Sequence, residues 1–458
     1  MTSLLYGAVS FSAVATMSLL CVVAIVIGST VRKEIPRTVS ITGPVLLAVT
    51  ASTAMIVFRL VQDVNLLSDE NAWHAQAMLV AQFLSESSTT PPVLSEGKEG
   101  YPWIVGTLYS ISGNAPLVPI TLGTLMFVLL VPLCGAITSL VARDLRMTEV
   151  GTSRAIRWAC YFVAVCPAVI IWVPRVLRES ISMFLIGLMI LWFLAYLERR
   201  RPLFLVAVGA AAAVMVTIRA QVGLGIIAGL ILSAIVVYST RFRHMFARVL
   251  LIGPIFLVIF AVTWAYVDST SSLSAENIAL RNRALSDASS AFEGGDEAYA
   301  ATSIVDMVLF NLPRAALGPF LTELSGGGGA IIVAAVSNVF WLICILGACL
   351  FLPGRRRALG AASDRTEKTR VRAFVVLIVL ALTLLAILSI TAGNYGLVVR
   401  MRLMPLVALI PAAAIGFQVW RFRHRGEELF LMRTVDAEST RPRTVRRSRN
   451  ASHRSRRS

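Results

Sequence analysis

The chain has 458 residues, 57% of them hydrophobic and only 15% charged, with a mean hydropathy of +0.77. That balance excludes a soluble globular domain, where about a quarter of residues carry charge. The formal net charge of +17 suits a nucleic-acid binder on its face, but its placement along the chain assigns it to membrane topology.

Eleven stretches approach the ~20 apolar residues that a helix needs to cross a ~30 Å hydrocarbon core. In chain order they are 4–27, 39–61, 116–141, 155–174, 181–197, 203–218, 222–239, 249–267, 330–352, 373–392 and 403–420. The sixth, 203–218, is short and Ala-rich. The N-terminus, MTSLLYG, has no positive n-region and no cleavage site, so it reads as an uncleaved first helix. Two connecting segments exceed simple turns. The first, 62–115, holds an Asp69–Glu70 pair and then Ala72, Ala75, Met78, Leu79 and Phe83 at helical spacing, up to a Pro-rich break at Thr89–Pro92. The second, 268–329, runs from a polar stretch into MVLFNLPRAALGPFLTEL. That run reads as an interfacial helix broken at Pro313 and Pro319, with Ser325–Gly329 a flexible joint. Residues 1–420 therefore read as one polytopic membrane domain, and 421–458 as a basic, Ser/Arg-rich tail, disordered and drawn to anionic lipids.

Charge then sets the orientation. With the N-terminus outside and every stretch crossing once, the loops at 31–37, 142–157, 198–202, 240–248 and 353–372 share one side with the tail. That side holds 32 Lys/Arg and 10 Asp/Glu, and the other the remaining 10 and 15. The positive-inside rule makes the first side cytoplasmic. The expectation is a multi-pass cell-membrane protein with its C-terminus in the cytoplasm and no nucleic-acid partner. The six cysteines all lie in apolar stretches without metal-type spacing, as small core residues do. No Walker loop, GxGxxG or HExxH occurs, which removes the sequence support for nucleotide-driven transport.

The residues able to carry chemistry gather at the outer side. Asp69 and Glu70 follow a span and open an amphipathic helix; Trp73 and His74 lie one turn on. A carboxylate or imidazole within hydrogen-bond reach of a hydroxyl can serve as general base, and an aromatic ring can stack on a sugar. The plainer alternative is a helix start, where acids suit the positive dipole end behind a Ser68 cap. Arg175 and Arg178, with Glu179, lie between spans; Arg219, Arg400 and Arg402 lie where spans meet the outer face. The positive-inside rule disfavours arginine there. A lipid-borne phosphate is a natural partner for its planar fork of donors, the alternative being snorkelling or pairing with an acid. Gly100–Tyr101–Pro102–Trp103 precedes the third span as a ligand-facing element or an interfacial aromatic belt, and Gly393–Asn394–Tyr395–Gly396 reads either as a turn that lets backbone approach a ligand or as a plain loop between spans.

In this order the motifs resemble the GT-C class of integral membrane glycosyltransferases, which use polyprenyl-phosphate-linked sugars, and especially bacterial members that build surface polysaccharides. The resemblance rests on Asp69–Glu70 followed by Trp73, His74, Ala75 and Ala77; on Gly100–Tyr101–Pro102; on Pro167, Trp172, Arg178 and Glu179; and on LPRAALGPF (312–320) with Arg400 and Arg402. It covers about residues 60–410. It departs from the class in having two spans before the acidic loop and no large soluble C-terminal domain. The resemblance implies a helical bundle with an outer-facing site, and Asp69 as general base with Glu70 as its substitute. Arginines would hold the leaving phosphate, with Trp73, His74, Tyr101 and Glu179 beside the substrate. It implies a polyprenyl-phosphate sugar donor and a glycan or lipid acceptor. No cofactor or metal is expected, although paired carboxylates such as Asp69 and Glu70 can recruit a divalent cation. A polysaccharide polymerase or ligase shares these features. A transporter predicts charge at mid-membrane depth and repeat symmetry, which the sequence does not display. A scaffold predicts that the acids and arginines are dispensable.

Overall fold

The computed structural model describes residues 11–61, 66, 68–86, 90–95, 98–238, 304–319, 329–359, 371–389 and 395–425. These form fourteen helices and no strand. Eight of the helices are long and apolar enough to cross a membrane, as an all-α polytopic membrane protein requires.

Helices α1 (Phe11–Arg32) and α2 (Thr42–Val61) stand at the edge of the bundle with most side chains facing outward. Arg32 closes the loop between them by donating to Ile35 O and Val39 O, both at 2.8 Å. α3 (Ser68–Glu86) and α4 (Gly100–Ser112) form a short pair at the α2 exit. They pack closely because Gly106 has no Cβ to strike Val80 and the Ala77 carbonyl. α5 (Leu117–Asp144) and the last helix run through the centre, buried over most of their length.

The expected span 155–174 is two helices, α6 (Glu149–Val165) and α7 (Pro167–Trp172). Pro167 opens the second, and Cys166 before it takes an extended ψ of 112°, the conformation that a following proline favours. α8 (Glu179–Arg199) ends at Arg200 in the left-handed region, φ 57°. α9 (Leu203–Ile218) and α10 (Ala220–Tyr238) are joined by Arg219 alone. That hairpin is tight, since a Cβ on Gly223 would come within 2.8 Å of the Val216 backbone nitrogen.

α11 (Ile304–Leu317) runs through Pro313, where a break was expected, and stops before Gly318–Pro319. α12 (Gly329–Leu359), α13 (Arg372–Ser389) and α14 (Tyr395–Arg425) complete the bundle. α12 and α14 touch through Gly347 and Gly416, where a Cβ on Gly416 would collide with the Gly347 carbonyl. Small residues at such crossings let helices in lipid approach closely. The expected span 249–267, the polar part of 268–329, the Ser325–Gly328 part of the expected joint and the tail from 426 lie outside the described residues, while residues 421–425, expected in the disordered tail, continue α14 as helix. Of the cysteines, Cys134, Cys160, Cys166 and Cys344 are buried, and Cys21 and Cys349 are exposed.

The two ends of the bundle differ in chemistry. At one end Arg143 and Arg199 bind Glu34, and Arg143 also binds Glu198, tying the 33–41 loop to α5 and α8. Asp144 there accepts from the Ala373 N–H at 2.9 Å. At the other end lie α3, α4 and most of the arginines singled out from sequence.

Candidate active site

Asp69 and Glu70 occupy the first turn of α3. Consecutive helical residues point ~100° apart, so the two carboxylates separate. Glu70 turns inward and is fully buried. Its Oε2 accepts from Arg59 Nη2 at 3.0 Å, and its Oε1 accepts from the Val176 N–H at 3.0 Å. Arg59, itself buried, also donates to Pro174 O at 2.7 Å, and Arg175 Nη1 stands 3.7 Å from Glu70. Glu70 thus ties α2, α3 and the loop after α7 together. Expected as a substitute base, it is instead a buried tie with both oxygens engaged.

Asp69 turns outward and is 57% exposed. Its partner is Arg400, in the second turn of α14, whose Nη1 donates to Asp69 Oδ2 at 2.5 Å. The rest of that guanidinium is fixed from behind. Its Nε and Nη2 donate to Glu179 Oε1 at 3.1 and 2.9 Å. Glu179 is 1% exposed, lies in the first turn of α8 and also has Arg219 Nη1 at 3.7 Å. A carboxylate is favoured at a helix N-terminus, and two arginines add to that here.

Aromatic rings pack around the cations. The Arg175 and Arg400 guanidinium carbons lie 4.8 and 5.2 Å from the Trp172 ring centre. Arg178 lies 4.9 Å over Trp73 and donates to Ile218 O at 3.4 Å. Trp73 meets Tyr101 edge-on at 5.7 Å, and His74 Nδ1 shares a 2.9 Å hydrogen bond with the Tyr109 hydroxyl. Burial raises the Tyr101 and Tyr109 hydroxyls and lowers His74, so each favours its neutral form. Trp73, His74 and Tyr101 are therefore buried packing around the cluster; the open stacking face expected of Trp73 lies beneath Arg178.

Arg402 is placed apart. It donates to Ala315 O at 2.7 Å, Arg314 O at 3.0 Å, Gly318 O at 2.6 Å and Asn338 Oδ1 at 2.8 Å. Trp341 Nε1 takes Ala316 O at 2.7 Å, and Asn338 Nδ2 takes Leu317 O at 3.0 Å. Five consecutive carbonyls at the α11 end are thus held by side chains. Arg402, expected on a phosphate, has its donors on three backbone carbonyls and the Asn338 side chain.

The structure therefore brings Arg175, Arg178, Arg219 and Arg400 together with Asp69, Glu70 and Glu179, and adds Arg59. Among the described residues, five arginines and three carboxylates gather in this mostly buried site. Burial lowers the Arg175 guanidinium from its ordinary value; Glu70 opposes this, and nearby Arg59 and Arg400 reinforce it. Such an arrangement favours an anion. A divalent cation at Asp69 and Glu70 would compete with partners already in place. Glu70 has no open oxygen, Asp69 is bound to Arg400, and among the described residues no three His, Cys, Asp or Glu gather. Arg59 escaped the sequence reading, although an arginine inside an apolar span is itself a signal that it faces the bundle interior.

No protein-family model, curated protein or solved structure matches the chain significantly.

Proposed function

We propose that the chain is a membrane glycosyltransferase of the GT-C kind. It moves a sugar from a polyprenyl-phosphate carrier to a cell-envelope glycan or lipid acceptor at the outer face. The supporting observation is that three arginines chosen from sequence, Arg175, Arg219 and Arg400, converge with Arg59 on Glu70, Glu179 and the exposed Asp69 at one end of the bundle, with Arg178 over Trp73 beside them. The proposal includes eleven spans, an outer N-terminus and a cytoplasmic C-terminus.

In this reading Asp69 takes the proton of the acceptor hydroxyl as its oxygen attacks the anomeric carbon. The bond from that carbon to the phosphate oxygen breaks, its electron pair stays on the phosphate, and the sugar inverts. Arginines already in place neutralise the departing charge, the form of stabilisation that contributes most when donors are preorganised. Arg175, Arg219 and Arg400 are the phosphate donors; Glu70, Arg59, Trp73, Arg178 and Tyr101 hold them in position.

The test is transfer from a lipid-linked sugar in purified membranes. Asp69→Asn should lower the rate at least ~100-fold, the lower range for a lost general base, with unchanged insertion and accumulation. Unchanged transfer, together with an unchanged envelope glycan, would remove the enzyme reading and leave a transporter or scaffold ahead.

A further inference from the structure

Arg400 presents its three donor groups to two different kinds of partner. Nε and Nη2 are committed to Glu179, which is 1% exposed and has Arg219 beside it. Trp172 lies against the same guanidinium. That edge is held by a carboxylate shut away from water and lies against a half-buried ring, so the guanidinium has a fixed orientation. The remaining arm, Nη1, points to the surface and meets Asp69 Oδ2. Asp69 is 57% exposed, and ion pairs with one partner in water contribute little to stability. The pair is therefore rigid on the arginine side and exchangeable on the acid side.

A phosphate offers what Asp69 offers, with more charge and more acceptor oxygens. We propose that Asp69 and the phosphate of a lipid-linked donor compete for Arg400 Nη1, so that arrival of the phosphate displaces the Asp69 carboxylate. This rests on the phosphate-site reading above and adds an order of events to it. The acid held by the arginine is released only when the leaving group has taken its place, and it then turns to the acceptor hydroxyl. Glu70 takes no part in the exchange, since its oxygens are held by Arg59 and the Val176 N–H inside the fold.

The experiment is calorimetric titration of the detergent-purified full chain with inorganic phosphate. It compares wild type, Asp69→Asn, Arg400→Lys and the double variant. Lysine keeps a positive charge beside Glu179 but lacks the second arm that reaches Asp69. Competition predicts that Asp69→Asn binds phosphate about two- to fivefold more tightly than wild type, the range set by a partly exposed ion pair. It also predicts that this gain is absent in the Arg400→Lys background, which separates displacement from simple relief of charge repulsion. Equal affinity of wild type and Asp69→Asn, or the same gain in both backgrounds, overturns the competition while the phosphate site stands. No phosphate binding by any form overturns both.

Discussion

Glu70 and Arg59 show how one residue's neighbour decides its role. Removing either partner of a buried ion pair leaves the other charge uncompensated, at a cost of ~3–5 kcal/mol. Replacing both by apolar side chains of similar size costs much less. Glu70→Gln is therefore expected to lower unfolding stability in detergent markedly, whereas Arg59→Met with Glu70→Leu recovers only part of the loss, because the Val176 N–H and Pro174 O lose their partners. Thermal unfolding of the single and double variants measures this, and a Glu70→Gln protein as stable as wild type would contradict the assignment. Asp69→Asn, by contrast, is expected to change stability little, because its carboxylate is mostly in water. Sequence could place both acids at a helix start but could not separate them. Two adjacent residues share every local signal, and only the packing of α2 and the 173–178 loop against α3 makes one inward and the other outward. Arg402 fails for the same reason. Two positions from Arg400 on one helix, it faces the opposite side and meets α11 instead of the cluster.

Among elements, the α3–α4 pair carries the clearest pH dependence. His74 lies between the two helices, 4% exposed, bonded to Tyr109. Burial lowers its folded pKa below 6.5, so at lower pH the unfolded form binds the proton first. Stability is then full above about pH 6.5 and falls as pH drops from there towards the folded value. Amide exchange in α3 and α4 is expected to speed up between pH 7.5 and 5.5 relative to α5. His74→Gln should lose that difference. An unaltered pH response in the variant would assign the effect to other groups. The elements themselves were largely legible, because apolar length dictates spans. Helices α5, α8 and α9 fall within a few residues of the expected bounds. The misreadings sit at prolines. Pro167 divides a run that looked continuous, and Pro313 leaves α11 intact. A chain of side-chain donors from α12 and α14 secures the α11 carbonyl end, and no local pattern encodes that.

At the scale of the whole molecule, the bundle has two chemically distinct ends, which the proposed orientation sets on opposite sides of the membrane. The Glu34–Arg143–Arg199–Glu198 network and the Asp144–Ala373 contact gather loops that charge counting put on the basic side. Asp69, Glu179, Arg219 and Arg400 gather at the opposite end. Helices alternate between these ends from α8 to α10, joined by residues 200–202 and by Arg219 alone. Lys33 on the first end and Val93 on the second are both exposed, so each can report its side. In intact cells, a membrane-impermeant thiol reagent is expected to label Val93→Cys and to spare Lys33→Cys until the membrane is opened. Four native cysteines are buried, and exposed Cys21 and Cys349 lie within apolar helices, which keeps the background low. Reversed labelling would move the acid–arginine cluster to the cytoplasmic face. The site would then meet soluble nucleotide-linked sugars as readily as lipid-linked ones, and an outer-face transfer could not be its work. Labelling as expected, joined to loss of transfer in Asp69→Asn, leaves a lipid-borne donor as the activated sugar that this cluster is placed to meet.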